Sequence, residues 1–182
     1  DNIFYGHQFS EILSKQVQGL QGATIFTTIV DSPNNFGVVE MDENGAVLSL
    51  EEKPVIAKSK NIATGLYFYQ NSVVDIAKGI RPSARGELEI TDINIEYLKQ
   101  KKLVAQQLGR GFAWLDTGTQ ESLLQASNFI ETIQHRQGLM VACLEEIAFT
   151  NKWINEKKLV EISQKYKNSP YGSYLINLLQ SP

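Results

Sequence analysis

The chain has 182 residues, of which 42% are hydrophobic and 20% are charged, so it can build one full core and does not have the composition of a disordered polypeptide. The net charge of −3 arises from interspersed acidic and basic residues, without the clustered cations that binding to a nucleic-acid backbone requires. No apolar run approaches the roughly 18 to 20 residues that span a bilayer. We therefore expect neither a nucleic-acid nor a membrane partner.

Two features bear on the setting of the chain. Its single cysteine, Cys143, cannot form an internal disulfide, which favours a cytoplasmic location. Its first residues, 1–7 (DNIFYGH), include no initiator Met and no basic segment before an apolar stretch, so no signal peptide is predicted. We expect the sequence to begin inside a catalytic domain.

The first part of the chain predicts an α/β arrangement. A helix is expected over residues 8–17, and a buried strand rich in Thr and β-branched residues is expected over 23–30. Two short strands over 37–41 and 46–52 flank residues 42–45, in which Asn-Gly is a strong signal for a tight turn. This pattern predicts an antiparallel hairpin.

The middle of the chain continues the alternation of strand and helix. Residues 62–69 predict a strand with one face in the core. A helix is expected from Glu89 onward, because apolar residues recur at helical spacing up to a basic stretch at 99–102. A further strand is predicted over 103–108.

The remainder of the chain predicts helices. A capping box between Thr117 and Gln120 is expected to begin a long helix that ends at Gly138. Two shorter helical patterns follow, over 159–166 and 174–179. The predicted fold class is therefore α/β, with a helical C-terminal tail.

Polar residues, glycines and aromatics cluster where predicted strands end, which is where open α/β sheets place ligands. These clusters are residues 1–7, 49–54, 63–69 together with 83–89, and 111–119. In the first and last clusters, Asp1 and Asp116 offer the oxygen ligands that Mg²⁺ takes alongside phosphate and water. The alternatives are that Asp1 is a solvated end residue and that Asp116 helps to cap the next helix.

Charged residues in the middle clusters suit a sugar phosphate. Glu52 can accept hydrogen bonds from sugar hydroxyls, while the adjacent Lys53 can neutralise a phosphate. If the strand continues that far, Glu52 shares a face with Leu48 and Leu50. Arg85, just ahead of a helix, is also well placed for phosphate. The alternative for all three charged residues is a side chain that faces water.

Three uncharged residues complete the candidate set. Gly65 would permit close approach of a ligand to the backbone, although it would equally fit a β-bulge. Tyr67 offers a phenol, although it would equally fit a half-buried position in a sheet. Trp114, in the last cluster, could be a core residue.

Six sequence strings, taken in order, resemble the short-form glucose-1-phosphate thymidylyltransferases, in a match that runs over essentially the whole chain. The strings are DNIFYGH (1–7), FGVVE (36–40), LEEKP (50–54), TGLYFY (64–69), RGELEITD (85–92) and WLDTGT (114–119). The resemblance implies a reaction of dTTP with glucose 1-phosphate that gives dTDP-glucose and pyrophosphate, as in deoxysugar precursor synthesis of the dTDP-rhamnose type. It also implies Mg²⁺ and a homotetramer.

The resemblance further implies an organisation for the chain. The fold would be part of a Rossmann-like nucleotide-diphospho-sugar transferase with a mixed sheet. Residues 1–138 would form the sugar-phosphate and metal side of the catalytic domain, and residues 139–182 a helical tail packed on it.

The same resemblance assigns residue roles. Asp1 and Asp116 would hold the metal. The substrate contacts would be Gly37, Glu52, Lys53, Gly65, Tyr67, Arg85 and Trp114. Lys53 and Arg85 would be catalytic, because they reduce the repulsion between two anionic substrates. A second nucleotide site for feedback control would involve Gly6, His7, Arg110, Glu146 and Ile147, although Arg110 and Glu146 equally fit a surface ion pair.

The sequence departs from the family pattern in two ways. Phe36 stands where the family commonly has Tyr, so one hydroxyl is lost. The family's glycine-rich phosphate loop, with its Arg and Lys, is not found, and neither residues 22–24 nor 109–111 replace it. We expect the chain alone to be inactive. A UTP-dependent glucose-1-phosphate uridylyltransferase and a non-catalytic sugar-phosphate-binding module stay open as alternatives.

Overall fold

The computed structural model describes residues 2–180. The elements group into two compact units, residues 2–117 and residues 118–180. Both β-sheets lie in the first unit, and the described part of the second unit is helical. This division falls just before the long helix, whereas the functional boundary expected from the sequence follows Gly138.

Seven strands and seven α-helices are assigned within residues 2–180. The strands are β1 (Asn2–Gly6), β2 (Ala23–Ile29), β3 (Gly37–Met41), β4 (Val47–Glu52), β5 (Asn61–Tyr69), β6 (Leu103–Gln107) and β7 (Phe112–Asp116). The helices are α1 (Phe9–Gln18), α2 (Val73–Gly79), α3 (Ile90–Lys99), α4 (Gln120–Gln137), α5 (Leu144–Thr150), α6 (Glu156–Lys165) and α7 (Pro170–Asn177). The predicted elements are confirmed to within a few residues, while β1, β7, α2 and α5 were not predicted.

The larger sheet has the strand order β4-β3-β5-β2-β6. Strand β2 is an interior strand and is buried along most of its length, as its Thr-rich and β-branched sequence predicts. It runs antiparallel to β5 and parallel to β6. The sheet is therefore mixed, and the predicted α/β class is confirmed.

Helix α3 packs on the larger sheet through its apolar side. Ile93 and Tyr97 pack with Ala23 of β2, while Ile95 and Leu98 lie against a second buried cluster. That cluster consists of Ile25, Val39 and Leu50. Burial at i, i+4 and neighbouring positions is what the helical spacing predicts. Helix α3 is thus fixed beside the end of the β3–β4 hairpin.

The β3–β4 hairpin is confirmed, but one expectation about its faces is wrong. Met41 pairs with Val47 and Glu40 with Ser49, so Leu48 is an extra residue in a β-bulge. Leu48 is accordingly 56% exposed, whereas Leu50 is only 8% exposed. Glu52 shares the buried side with Leu50 and not with Leu48, because the bulge shifts the alternation.

Strands β1 and β7 form a separate antiparallel pair in the first unit. Phe4 of β1 stacks on Phe9 of α1 with ring centroids 5.6 Å apart, and Phe9 also contacts the ring of Phe112. Aromatic contacts of this kind add to the apolar area that they bury. They hold β1, α1 and β7 together, so that Asn2 lies opposite Asp116.

The second unit begins with the long helix, whose predicted capping pair is wrong. Thr119, and not Thr117, is the N-cap, and its hydroxyl accepts a hydrogen bond from the Ser122 backbone N–H at 3.1 Å. Thr119 takes the cap because its backbone is extended, with φ −123° and ψ 161°. The predicted end of the helix at Gly138 is confirmed, where φ is 68°.

The helical tail has its own small core, in which Cys143, Leu159 and Leu175 are buried. Asn155 caps α6 and Ser169 caps α7, each by accepting a hydrogen bond from a backbone N–H in the first turn.

Across residues 2–180, every helix is too short or too polar to cross a membrane.

Leu159→Ala is expected to lower the free energy of unfolding by about 2–5 kcal/mol, because the fully buried side chain leaves a cavity in the tail core. Val160→Ala is the matched control, since Val160 is the next residue of α6 and is 38% exposed. Its loss should stay below about 1 kcal/mol. Urea unfolding followed by circular dichroism measures both, and equal losses would contradict the burial pattern.

Candidate active site

The candidate site is built around the carboxylate of Glu52, at the end of β4. Its Oε2 accepts a hydrogen bond from the Thr91 hydroxyl at 2.5 Å. Thr91 lies in the first turn of α3 and is only 4% exposed. Because the bond spans 39 residues of sequence, it ties the helix to the end of the hairpin. One carboxylate oxygen is thereby fixed in position.

Gly37 lies close against this carboxylate. It pairs with Glu52 across the hairpin. A Cβ at residue 37 would lie 3.2 Å from both Glu52 Oε2 and Thr91 Oγ1. Any larger side chain would therefore press on the Glu52–Thr91 hydrogen bond, and glycine leaves that bond undisturbed.

Tyr67 lies beside Glu52 on the face of β5 that packs toward α3. Burial, followed by the negative charge of Glu52, raises the pKa of the Tyr67 phenol to about 12, although the hydrogen bond to the Gly65 backbone partly offsets both effects. Both main causes disfavour the phenolate. Tyr67 is therefore a neutral O–H group at physiological pH.

Lys53 adopts an unusual backbone conformation directly after Glu52. Its φ is +44°, in the left-handed region that residues with side chains rarely occupy. The Lys53 N–H donates to the carbonyl of Phe36 at 3.0 Å, and Asn34 Nδ2 donates to the carbonyl of Pro54 at 2.8 Å. These bonds maintain the strained turn, which directs the chain away from the sheet at Lys53. Strain of this kind is concentrated at functional positions.

Arg85 lies in a turn that leads into α3. The guanidinium forms ion pairs with Glu87 and, at 3.6 Å, with Glu89, the N-cap residue of α3. The hydrogen bond to Glu87 raises the pKa of Arg85, and the Glu89 and Glu52 charges act in the same direction. In return, Arg85 lowers the pKa of Glu87, with a smaller contribution from Lys53.

These electrostatic effects show which predicted residues lie together. The charge of Glu52 acts on both Tyr67 and Arg85, and the charge of Lys53 acts on Glu87. Tyr67 and Arg85 thus both lie within reach of the Glu52 charge, and Lys53 lies within reach of the partner of Arg85. Their roles toward a ligand remain predictions.

Gly65 and Trp114 join the β1–β7 pair to the larger sheet. Gly65 has φ +83°, and a Cβ there would lie 2.5 Å from Asn2 Nδ2, so glycine is required on both counts. Trp114 Nε1 donates to the carbonyl of Thr64 at 2.9 Å, and its ring meets Phe36 edge-on at 5.3 Å. Trp114 therefore acts as a packing residue between the two sheets.

Of the two predicted metal ligands, the structure describes Asp116 and not Asp1. Asp116 ends β7 opposite Asn2, whereas Asp1 lies outside the described residues. Within residues 2–180, no group of three or more His, Cys, Asp or Glu side chains could hold a metal without other ligands. A single hard carboxylate does suit Mg²⁺, which binds one or two carboxylates and completes its coordination with phosphate oxygens and water.

The residues proposed for a second nucleotide site are divided between the two units. Gly6 pairs with Phe112, and His7 and Arg110 are exposed in the first unit. Glu146 and Ile147 lie on α5, where Glu146 accepts a hydrogen bond from Tyr174 Oη at 2.6 Å. This contact gives Glu146 a role within the tail itself.

Three contributors to the site were not assigned roles from the sequence. Thr91 holds Glu52, Asn2 lies against Gly65, and Glu87 pairs with Arg85. A signal for Thr91 is visible in hindsight, because it is a polar residue, like Asn94, among the apolar residues on the buried side of α3. The Arg85–Glu87 pair has no sequence signal beyond opposite charges two residues apart.

Comparison with known proteins identifies the class. The nucleotidyl transferase family model matches residues 1–133, so the chain belongs to the nucleotidyl transferase family. A crystal structure of UDP-glucose pyrophosphorylase complexed with UDP-glucose aligns with a TM-score of 0.63 at 22% identity, covering 72% of this chain and 53% of that chain. This similarity of fold confirms the expected Rossmann-like architecture.

Within that class, two named relatives have sequences similar to this chain along almost its whole length. It is 51% identical over 180 residues to the glucose-1-phosphate thymidylyltransferase of Neisseria meningitidis, covering 99% of this chain and 62% of that protein. It is 48% identical over 180 residues to the enzyme of the same name from Mycobacterium tuberculosis strain H37Rv, with the same coverages. The resemblance stated from the sequence is confirmed, and the chain spans about 62% of these relatives' length.

Glu52→Gln is expected to lower the pKa of Tyr67 from about 12, because it removes the second cause of the elevation. The pKa should remain above 10, since burial is the larger cause. Glu51→Gln is the control, because Glu51 is exposed. Phenolate absorbance titration measures the change, with Tyr67→Phe to assign the signal.

A second consequence of the raised Tyr67 pKa concerns stability. The folded state disfavours the phenolate, so this stabilising contribution is complete below pH 10 and is lost as pH rises toward 12. In the phenolate titration, a Tyr67 pKa that is the same in Glu52→Gln and in the unmodified protein would contradict the proximity of the two side chains.

Proposed function

We propose that the protein containing this chain forms dTDP-glucose and pyrophosphate from dTTP and glucose 1-phosphate, and that this chain supplies the sugar-phosphate side of the site. The observation that carries the proposal is the grouping of Tyr67, Arg85 and the adjacent Lys53 about the carboxylate of Glu52, at the end of β4. The 51% and 48% identities to glucose-1-phosphate thymidylyltransferases support the same reaction.

The reaction requires two anions to approach each other. A phosphate oxygen of glucose 1-phosphate attacks the α-phosphorus of dTTP, and the bond from that phosphorus to the bridging oxygen of the β-phosphate breaks, which releases pyrophosphate. Lys53 and Arg85 lower the repulsion and stabilise charge in the transition state. Arg85 exchanges its contact with Glu87 for the substrate phosphate, which offers a better charge-assisted pair.

The sugar end is recognised by Glu52. Thr91 donates to Oε2, so this oxygen is held in position, and the second carboxylate oxygen keeps its acceptor positions. Sugar hydroxyls donate to those positions. Tyr67 stays protonated at physiological pH and donates its O–H to a phosphate oxygen. Gly65 and Trp114 shape the wall of the pocket.

Mg²⁺ is the proposed metal, held by Asp116 together with Asp1, which lies outside the described residues. When bound, it would neutralise phosphate charge. Family resemblance also supports a cytoplasmic homotetramer. A second nucleotide site near Gly6, His7, Arg110, Glu146 and Ile147 is proposed on the same basis.

Lys53→Met and Arg85→Gln are each expected to lower kcat/KM for glucose 1-phosphate about a hundredfold or more, because each removes a cation that faces developing charge. Lys58→Met and Arg81→Gln are matched controls, since both are exposed cations a few residues away. Pyrophosphate release by the full-length protein measures all four. Equal losses in test and control variants would contradict the proposed roles.

The nucleotide is tested separately by comparing dTTP with UTP in the same assay. Faster pyrophosphate release with dTTP is the expected result. A preference for UTP would replace the proposal with a uridylyltransferase, and no release with either would favour a binding module.

A further inference from the structure

Three tyrosine rings form a stack that starts at the proposed substrate site. Tyr67 stacks on Tyr69 with ring centroids 5.9 Å apart and planes at 26°. Tyr69 in turn stacks on Tyr97 of α3 at 5.7 Å and 22°. Tyr97 is 1% exposed and its hydroxyl lies 2.9 Å from Ser72 Oγ, so it is immobilised in the core. Tyr69 is therefore held between the core and the site.

Asn94 fixes the polar end of the middle ring. Tyr69 Oη donates to Asn94 Oδ1 at 2.6 Å. Asn94 is fully buried, and its Nδ2 has no hydrogen-bond partner among residues 2–180. Burying an unpaired amide N–H costs about 1–3 kcal/mol, which a leucine of similar size would avoid. A buried asparagine with half of its hydrogen bonds unmade is thus poorly explained by stability.

Asn94 belongs to a polar row on the inner side of α3. Thr91 stands three residues earlier, one helical turn away, and bonds Glu52. One helix therefore reaches both neighbours of Tyr67, through Thr91 to Glu52 and through Asn94 to Tyr69. Both hydrogen bonds are short, at 2.5 and 2.6 Å.

The backbone just before Tyr67 is irregular. Strand β5 has a register shift opposite Ile25–Thr27, and Gly65 there has φ +83°. A bulge re-aims the residues that follow it. Tyr67 is two residues beyond this point, so the ladder alone fixes its direction less firmly than in a regular strand.

We propose that Asn94 is a positioning residue for the phenol of Tyr67, acting through the hydrogen-bonded ring of Tyr69. This inference rests on the proposed role of Tyr67 as a phosphate contact. The Asn94 amide holds the plane of Tyr69, the Tyr69 ring supports the Tyr67 ring, and the Tyr67 hydroxyl is thereby kept in the pocket beside Glu52.

The kinetic test uses Tyr69→Phe and Asn94→Leu in the full-length protein. Each substitution is made once in the protein that retains Tyr67 and once in the Tyr67→Phe variant. With Tyr67 present, each variant should raise KM for glucose 1-phosphate about three- to tenfold, the size of one hydrogen bond, with kcat little changed. In the Tyr67→Phe background, neither should raise KM further. Equal rises in both backgrounds, or no rise with Tyr67, would overturn the inference.

A spectroscopic test does not depend on turnover. Tyrosine ¹³C labelling reports the Tyr67 ring directly, and its resonance should shift in Asn94→Leu and in the milder Tyr69→Phe. Ser163→Ala is the control, because it removes a buried hydrogen bond of 2.7 Å to Val160 in the second unit. An unshifted Tyr67 resonance would refute the positioning role. Wild-type protein without pyrophosphate release would instead refute the proposed function.

Discussion

The hydrogen bond of 2.5 Å from Thr91 to Glu52 is the constraint on which the candidate site depends. It fastens the start of α3 to the end of the β3–β4 hairpin. Lys53 follows Glu52 directly, and the Arg85 turn leads into α3 through Glu89. Lys53 therefore follows one partner of this hydrogen bond in the chain, and Arg85 precedes the other. The Thr91–Glu52 bond sets the distance between the two cations, although neither cation takes part in it.

The two cations of the candidate site are balanced by nearby carboxylates. Lys53 and Arg85 face three carboxylates, those of Glu52, Glu87 and Glu89. The ion pair between Arg85 and Glu87 lies at the surface, where such pairs contribute little to stability. A phosphate can therefore compete for the guanidinium at small cost. Glu52 differs because Thr91 keeps it in place, so it can serve as a fixed acceptor for neutral hydroxyls.

Periodic patterns predicted most of the fold from the sequence. The Thr-rich β2, the Asn-Gly hairpin and the apolar side of α3 are local features whose burial follows from spacing. The bulge at Leu48 was missed because period-two alternation contains no signal for an extra residue. Thr119 displaced Thr117 as the cap because backbone angles, and not spacing alone, choose the capping residue.

The candidate site was predictable only in its composition. Glu52, Lys53, Tyr67 and Arg85 could be singled out by residue type and by family resemblance. The Thr91–Glu52 contact joins residues 39 apart, and the pairing of Arg85 with Glu87 depends on a turn closed by Gly86 at φ +78°. Contacts of this kind depend on tertiary structure and leave no periodic trace in the sequence.

The position of glucose 1-phosphate in a crystal structure of the full-length protein tests the central claim most directly. Phosphate oxygens are expected about 3 Å from Lys53 Nζ and the Arg85 guanidinium, with a sugar hydroxyl donating to Glu52. Thr91 should remain bonded to Glu52. A sugar phosphate bound elsewhere, with Arg85 still paired to Glu87, would contradict it.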